Sequence, residues 1–114
     1  MLGNCEICGC YWQLDKHHLL SGSDRKHAEE DGLYIYICRS CHNAIHADRH
    51  EELHWKKEGE RRFLKNHTLT EWFDRYTKNF LEWEEIEEIE NEKEIELLER
   101  IRNEQDFFDR QPSP

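Results

Sequence analysis

The sequence predicts an α+β protein, with a small zinc-stapled core followed by a helical extension. Three observations predict it. Two Cys-x-x-Cys pairs lie far apart in the chain, the segments around them read as strand, loop, strand and helix, and the C-terminal part is rich in Glu. We place the zinc-binding core in residues 1–67 and the Glu-rich helical extension in residues 68–114.

The composition favours a metal-stabilised fold. The chain has 114 residues, of which 36% are apolar and 37% are charged, so a hydrophobic core alone is small for a unit of this size. The N-terminal residues resemble neither a signal peptide nor a membrane span, and we expect a soluble cytoplasmic protein without a membrane partner. In a reducing compartment, paired cysteines are metal ligands more often than disulfides. Cys10 is left over.

The net charge of −10 argues at first against a nucleic-acid partner, because binding to phosphates depends on Lys and Arg. The charge is unevenly distributed. Residues 1–67 contain 10 basic and 11 acidic residues, whereas residues 68–114 contain 6 basic and 15 acidic residues. The acidity therefore belongs to the extension, and the core stays compatible with DNA.

The elements of the core are predicted in chain order. Residues 5–20 read as a short strand or hairpin, and residues 21–26 have turn chemistry without an apolar period, which predicts a loop. The β-branched and aromatic residues 33–37 predict a strand that runs into Cys38. Residues 39–53 lack Gly and Pro and predict a helix that starts at the second cysteine pair.

The extension is predicted to be helical. At the end of the core, residues 60–65 suggest a short helix. In the extension, Thr68 and Glu71 form the Thr-x-x-Glu pattern that opens another helix. Ten of the eighteen residues from Glu82 to Glu99 are Glu, with apolar residues between them and no helix breaker. We predict a long charged helix whose apolar positions contact protein, either a second copy of the chain or another partner. The alternative is a solvated helix that only keeps the domain soluble.

The two cysteine pairs predict a structural zinc site. Four thiolates suit a closed tetrahedral Zn²⁺ site, and the two-residue spacing allows backbone N–H groups to stabilise the thiolates. Two rival interpretations are weaker. The Cys-x-x-Cys-His sequence that begins at Cys38 matches haem attachment, but it leaves the first pair unexplained, and a thioredoxin-like site lacks its βαβ context. The predicted ligands are Cys5, Cys8, Cys38 and Cys41.

Four histidines predict a second, catalytic metal site. His17 and His18 are adjacent at a strand end, while His42 and His46 lie four residues apart on one face of the predicted helix. Two helix imidazoles and one strand imidazole can hold a divalent metal and leave positions open for water or phosphate. The strand histidine that is not a ligand can then act as a general base.

These motifs resemble the HNH (ββα-metal) endonuclease superfamily. The His-His and His-x-x-x-His arrangement is similar to the colicin DNase branch. Within the superfamily, the segment that starts at His17 and the segment from Cys38 to His46 resemble small phage HNH proteins, including NinG/Rap-like recombination nucleases. The likeness covers about residues 5–82.

The resemblance implies a ββα-metal fold and metal-dependent hydrolysis of DNA phosphodiester bonds by a phage-encoded endonuclease. It implies that His18 is the general base and that His17, His42 and His46 hold Mg²⁺, Mn²⁺, Ni²⁺ or Zn²⁺, with Asp15 as an alternative ligand. The family's middle Asn has no counterpart, because Asp31 and Gly32 stand where it would lie.

DNA is the expected partner. The predicted phosphate contacts are Arg25, Lys26, Arg39, Lys56, Lys57, Arg61 and Arg62. The alternative function is a non-catalytic HNH-derived phage protein, acting in counter-defence or as a DNA mimic, that binds or inhibits a partner through its acidic helix. The four histidines favour catalysis, whereas the acidic extension favours partner binding.

Overall fold

The computed structural model describes the backbone of residues 1–109 and the side chains of residues 1–104. The described part is an α+β structure with a three-stranded antiparallel sheet and five helices. The chain divides into two compact units, one spanning Met1–Leu81 and one beginning at Glu82.

The sheet places the two cysteine pairs and the His-His dipeptide. Its strands are β1 (Leu2–Asn4), β2 (Tyr11–His18) and β3 (Tyr34–Cys38), in the order β1-β2-β3. In the antiparallel β2–β3 register, Leu14 lies opposite Cys38 and His18 lies opposite Tyr34. The predicted strands are confirmed, and β1 was missed because a three-residue strand carries almost no periodicity.

A short helix, α1 (Arg25–Glu30), follows a 3₁₀ turn at Gly22–Asp24. The prediction of a loop over residues 21–26 is therefore wrong at its end. Two features of the tertiary structure explain the difference. Ala28 is completely buried, and the buried Asp24 accepts a 2.8 Å hydrogen bond from the Thr77 hydroxyl, so tertiary packing rather than local periodicity fixes this helix.

The predicted single helix over residues 39–53 is two helices, α2 (Arg39–Ala47) and α3 (Arg49–Leu64). Asp48 between them is extended, with φ −129° and ψ 119°, and its side chain accepts a hydrogen bond from the His50 N–H. An Asp at this position caps the new helix and favours the break. The segment predicted as a separate helix, residues 60–65, is the end of α3.

An aromatic cluster packs helix α4 (Leu69–Arg75) against α3 within the first unit. Trp72 is fully buried, stacks on Tyr76 with ring centroids 4.1 Å apart, and meets Phe63 of α3 edge-on at 5.5 Å. The predicted capping box of Thr68 and Glu71 is confirmed. Residues 68–81, which charge alone grouped with the extension, thus pack against α3.

Three carboxylates fix the segment that follows α4. Asp31 accepts hydrogen bonds from Arg75 Nε at 2.8 Å and from the Tyr76 hydroxyl at 2.5 Å. Asp24 accepts from Thr77, and the fully buried Glu60 accepts from the Phe80 N–H at 2.7 Å. Charge-assisted bonds of this kind are strong. They hold residues 75–81 against α1 and α3.

The second unit is built on a single long helix, α5 (Trp83–Asp109), which agrees with the predicted charged helix. Five of its apolar side chains, those of Trp83, Ile95, Leu97, Leu98 and Ile101, are more than half exposed. None of the helices in the described residues is long and apolar enough to cross a membrane.

Candidate metal centres and active site

The four predicted zinc ligands come together at one end of the sheet. Cys5 and Cys8 belong to the turn that joins β1 to β2, where the Gly9 N–H donates to the Cys5 carbonyl at 2.9 Å. Cys38 ends β3 and Cys41 lies in the first turn of α2. Because these elements meet, the four sulfurs lie within 4.8 Å of one another.

The geometry of this cluster fits zinc. The Sγ atoms of Cys8 and Cys38 are 3.8 Å apart. Zn–S bonds of about 2.3 Å in a tetrahedron give S···S distances of about 3.8 Å. Four cysteines so placed are able to bind a metal such as zinc.

The thiol acidities differ within the cluster. Burial opposes ionisation of Cys5, but hydrogen bonds from the Cys8 and Cys38 backbone outweigh it and lower its pKa to about 6. The Cys41 backbone N–H likewise lowers the pKa of Cys38, whereas burial raises the pKa of Cys41. Hydrogen bonding with Cys8 raises the pKa of the fifth cysteine, Cys10, to about 12. Cys10 therefore stays a thiol, whereas Cys5 and Cys38 favour the thiolate, which is the form that binds a metal.

A histidine cluster lies where β2 meets α2. The ligand nitrogens of His17, His42 and His46 lie within 4.8 Å of one another. His17 ends the buried side of β2, and the four-residue spacing aims the two α2 imidazoles at it. Burial, followed by the neighbouring His42, lowers the pKa of His17 to about 4. His17 is therefore neutral at physiological pH, which is the state in which imidazole binds a metal.

Asp15, the alternative ligand, contacts His42 of this cluster. Its Oδ2 lies 3.1 Å from Nδ1 of His42 and 2.8 Å from Nε of Arg39. The hydrogen bond with His42, then the charge of Arg39, lowers the pKa of Asp15. A carboxylate that accepts a hydrogen bond from the Nδ1–H group fixes the tautomer and leaves Nε2 of His42 as the ligand atom.

The remaining member of the His-His dipeptide, His18, is held by α1. Its Nε2 lies 2.6 Å from Oε2 of Glu29, and Arg25 Nε donates to its Nδ1 at 3.3 Å. Lys16 donates to the other Glu29 oxygen at 2.9 Å. Hydrogen bonds from Lys16 and His18 lower the pKa of Glu29, so an ionised carboxylate orients the His18 ring.

The histidines open onto a cavity of about 330 Å³ whose wall includes His17, His18, His42 and His46. Arg25 and Lys56 line this cavity, and Lys26 lines the adjoining one. The other predicted phosphate contacts lie elsewhere. Arg39 pairs with Asp15, Arg61 and Arg62 pair with Glu58, and Lys57 lines none of these cavities.

Several residues around the cavity were not predicted from the sequence. Glu29, Lys16 and Glu52 lie beside the histidines, and no motif marks them. For Lys16 the predicted strand was a signal, because residues two apart on a strand share a face and Lys16 lies two residues before His18. Glu52 reaches the histidine cavity, and Glu29 reaches His18 and the adjoining cavity, only through the packing of α3 and α1.

Comparison of the chain with known protein families, with curated proteins and with solved structures found no match.

Proposed function

We propose that the protein is a metal-dependent endonuclease of the HNH type that hydrolyses DNA phosphodiester bonds. One observation carries the proposal. Three histidines from β2 and α2 bring their ligand nitrogens within 4.8 Å of one another, in a surface cavity that a fourth histidine also lines. Three imidazoles with open positions form a donor set typical of catalytic rather than structural metal sites.

The order of elements supports the HNH assignment. Strands β2 and β3 pair in antiparallel fashion and α2 follows β3 directly, as a ββα-metal fold requires. The cysteine cluster ties the beginning of β2 to the beginning of α2. A zinc ion held there would fix the angle between sheet and helix, and the histidines on the same two elements depend on that angle.

His17, His42 and His46 would hold the catalytic cation, and Asp15 would orient His42. The donor set accepts Mg²⁺, Mn²⁺, Ni²⁺ or Zn²⁺, with imidazole favouring the transition metals. When bound, the cation supplies electrostatic stabilisation of the phosphate and of the leaving oxygen.

His18 is the proposed general base. Its Nε2 is engaged by Glu29, so Nδ1 is the atom that takes a proton from the attacking water. Arg25 donates to this Nδ1. An arriving phosphate would attract the Arg25 guanidinium and free Nδ1 for the water. Glu29 then stabilises the imidazolium, and this carboxylate takes the orienting role for which the sequence has no Asn.

Replacement of His18 by Ala tests the proposal. The variant should lose about 10²–10⁴-fold in the rate of plasmid cleavage, the usual contribution of a general base, while zinc content and DNA binding stay as in the parent. His50→Ala is the matched control, because His50 is an exposed histidine at the start of α3. Equal cleavage by the His18 and His50 variants would overturn the assignment.

A second candidate function is a non-catalytic HNH-derived protein that binds or inhibits a partner through α5. The exposed apolar side chains of Ile95 to Ile101 on an otherwise acidic helix favour it. Absence of cleavage with Mg²⁺, Mn²⁺, Ni²⁺ and Zn²⁺ alike, together with an interaction that disappears when α5 is removed, would identify this function instead.

A further inference from the structure

A second cavity, of about 270 Å³, adjoins the histidine cavity. The two share Leu20, Ser21, Gly22 and Lys56 in their walls, and we refer to the adjoining cavities as the groove. The far wall comes from the segment after α4, where Thr77, Lys78 and Phe80 line the cavity.

This far wall is fixed in place. Asp24 accepts hydrogen bonds from the Thr77 N–H at 3.3 Å and from its hydroxyl at 2.8 Å. Glu60 accepts from the N–H groups of Phe80 at 2.7 Å and of Leu81 at 3.3 Å. Both carboxylates are buried. Because these carboxylates hold the backbone on each side of Lys78, this wall of the groove is preformed. Little conformational entropy is therefore lost when a ligand binds.

A third cavity, of about 690 Å³, shares Lys16, His18, Gly22 and Arg25 with the histidine cavity and extends the groove to Lys26. The groove contains carboxylates, but each has a partner within the described structure. Asp24 binds Thr77, Glu29 binds Lys16, Glu30 binds Arg75 and Glu52 binds Lys56.

Two lysines that line the groove differ from these paired groups. Lys26 and Lys78 form no ion pair with any residue whose side chain the structure describes, and both are exposed. Lys26 lines only the third cavity and Lys78 only the second, and the histidine cavity shares four wall residues with each of them. Cations with no carboxylate partner are the ones available to phosphate groups.

We propose that this groove binds the DNA backbone on both sides of the phosphate that is cleaved. Arg25 and Lys26 contact phosphates on one side, while Lys78 contacts them on the other. The Phe80 ring lines the same cavity as Lys78 and offers a surface for a sugar or base. The inference rests on the proposed nuclease function and adds the path of the substrate, including a segment outside the predicted core.

Two matched charge reversals test the path. Lys78→Glu changes the groove, whereas Lys65→Glu changes an exposed lysine at the end of α3 that lines none of the three cavities. Both variants change the net charge by the same amount. Each is made in the full chain with His18→Ala, which keeps the DNA uncut. Binding of a fluorescein-labelled duplex is measured by anisotropy over a series of KCl concentrations.

Loss of one phosphate contact makes the negative slope of log K against log salt shallower by about 0.9, and therefore weakens binding by about eightfold at 0.1 M salt. We expect this change for Lys78→Glu, and an unchanged slope for Lys65→Glu. Equal weakening by both variants would show a general charge effect and overturn the proposed path. If the parent cleaves DNA while the two variants bind equally, only the path fails. If none of the proteins binds DNA, the proposed function fails with it.

Discussion

Replacing Gly59 with Ala tests the packing that supports the histidine site. Gly59 is buried in α3, and an added Cβ would lie 2.8 Å from Leu20 Cδ2 and 3.0 Å from Leu19 Cβ. The Leu20 methyl group can rotate away. Leu19 Cβ cannot, because it is attached to the backbone one residue after His18.

Two effects oppose each other in this variant. Ala in a helix interior gains about 1 kcal/mol over Gly, while overpacking of a buried contact costs about 1–3 kcal/mol. The 3.0 Å contact with a backbone-attached atom makes the second effect larger, and we expect a net loss of about 1 kcal/mol. For a unit of this size such a loss lowers Tm by about 4–8 °C.

The assay is thermal and urea unfolding of the zinc-loaded protein, followed by circular dichroism. His54→Ala, an exposed change in the same helix, is the control and should stay within about 0.5 kcal/mol of the parent. A Gly59→Ala variant that is more stable than the parent by about 1 kcal/mol would show that helix propensity dominates, and the close approach of α3 to Leu19 would be refuted.

The other predictions concern the metals and the extension. Cys38→Ser should lose bound zinc and unfold the core, because the energy of metal binding is folding energy; a variant with unchanged zinc content and an unchanged melting curve would contradict this. Asp15→Asn should weaken metal affinity at the histidine site by about 10–100-fold without loss of the cysteine-bound zinc, as measured by Ni²⁺ titration; unchanged affinity would exclude the orienting role. Truncation after Leu81 should abolish self-association or partner binding in light scattering while leaving DNA affinity equal or higher; weaker DNA binding with an unchanged assembly state would place α5 in the DNA site.

Much of the two candidate sites could be predicted from the sequence, because their residues follow local rules. A Cys-x-x-Cys pair needs only a tight turn, and histidines four residues apart share a helix face in any helix. The sequence also predicts the strands that lie next to the cysteine and histidine pairs. The clustering of Cys5 with Cys38 and of His17 with His42 then follows once β2 and β3 pair.

The groups that orient these ligands could not be predicted. Glu29 reaches His18 only because α1 folds over β2, and α1 itself depends on the buried contact between Asp24 and Thr77 across more than fifty residues. The break between α2 and α3 at Asp48 could not be predicted either. A local cap competes there with a helix that propensity alone would continue, and packing of α3 against Leu19 and Leu20 favours the cap.

The most direct test of the central claim is whether DNA cleavage depends on metal at the histidine cluster. Protein treated with EDTA until only one zinc per chain remains, the ion expected at the cysteine cluster, is assayed for plasmid nicking. Mg²⁺, Mn²⁺, Ni²⁺ or Zn²⁺ is then added back to the parent and to His42→Ala. We predict no cleavage by the stripped parent, recovery with at least one of these metals, and no recovery by the variant at the same metal concentration. Cleavage that persists in EDTA, or equal recovery by His42→Ala, would contradict the account.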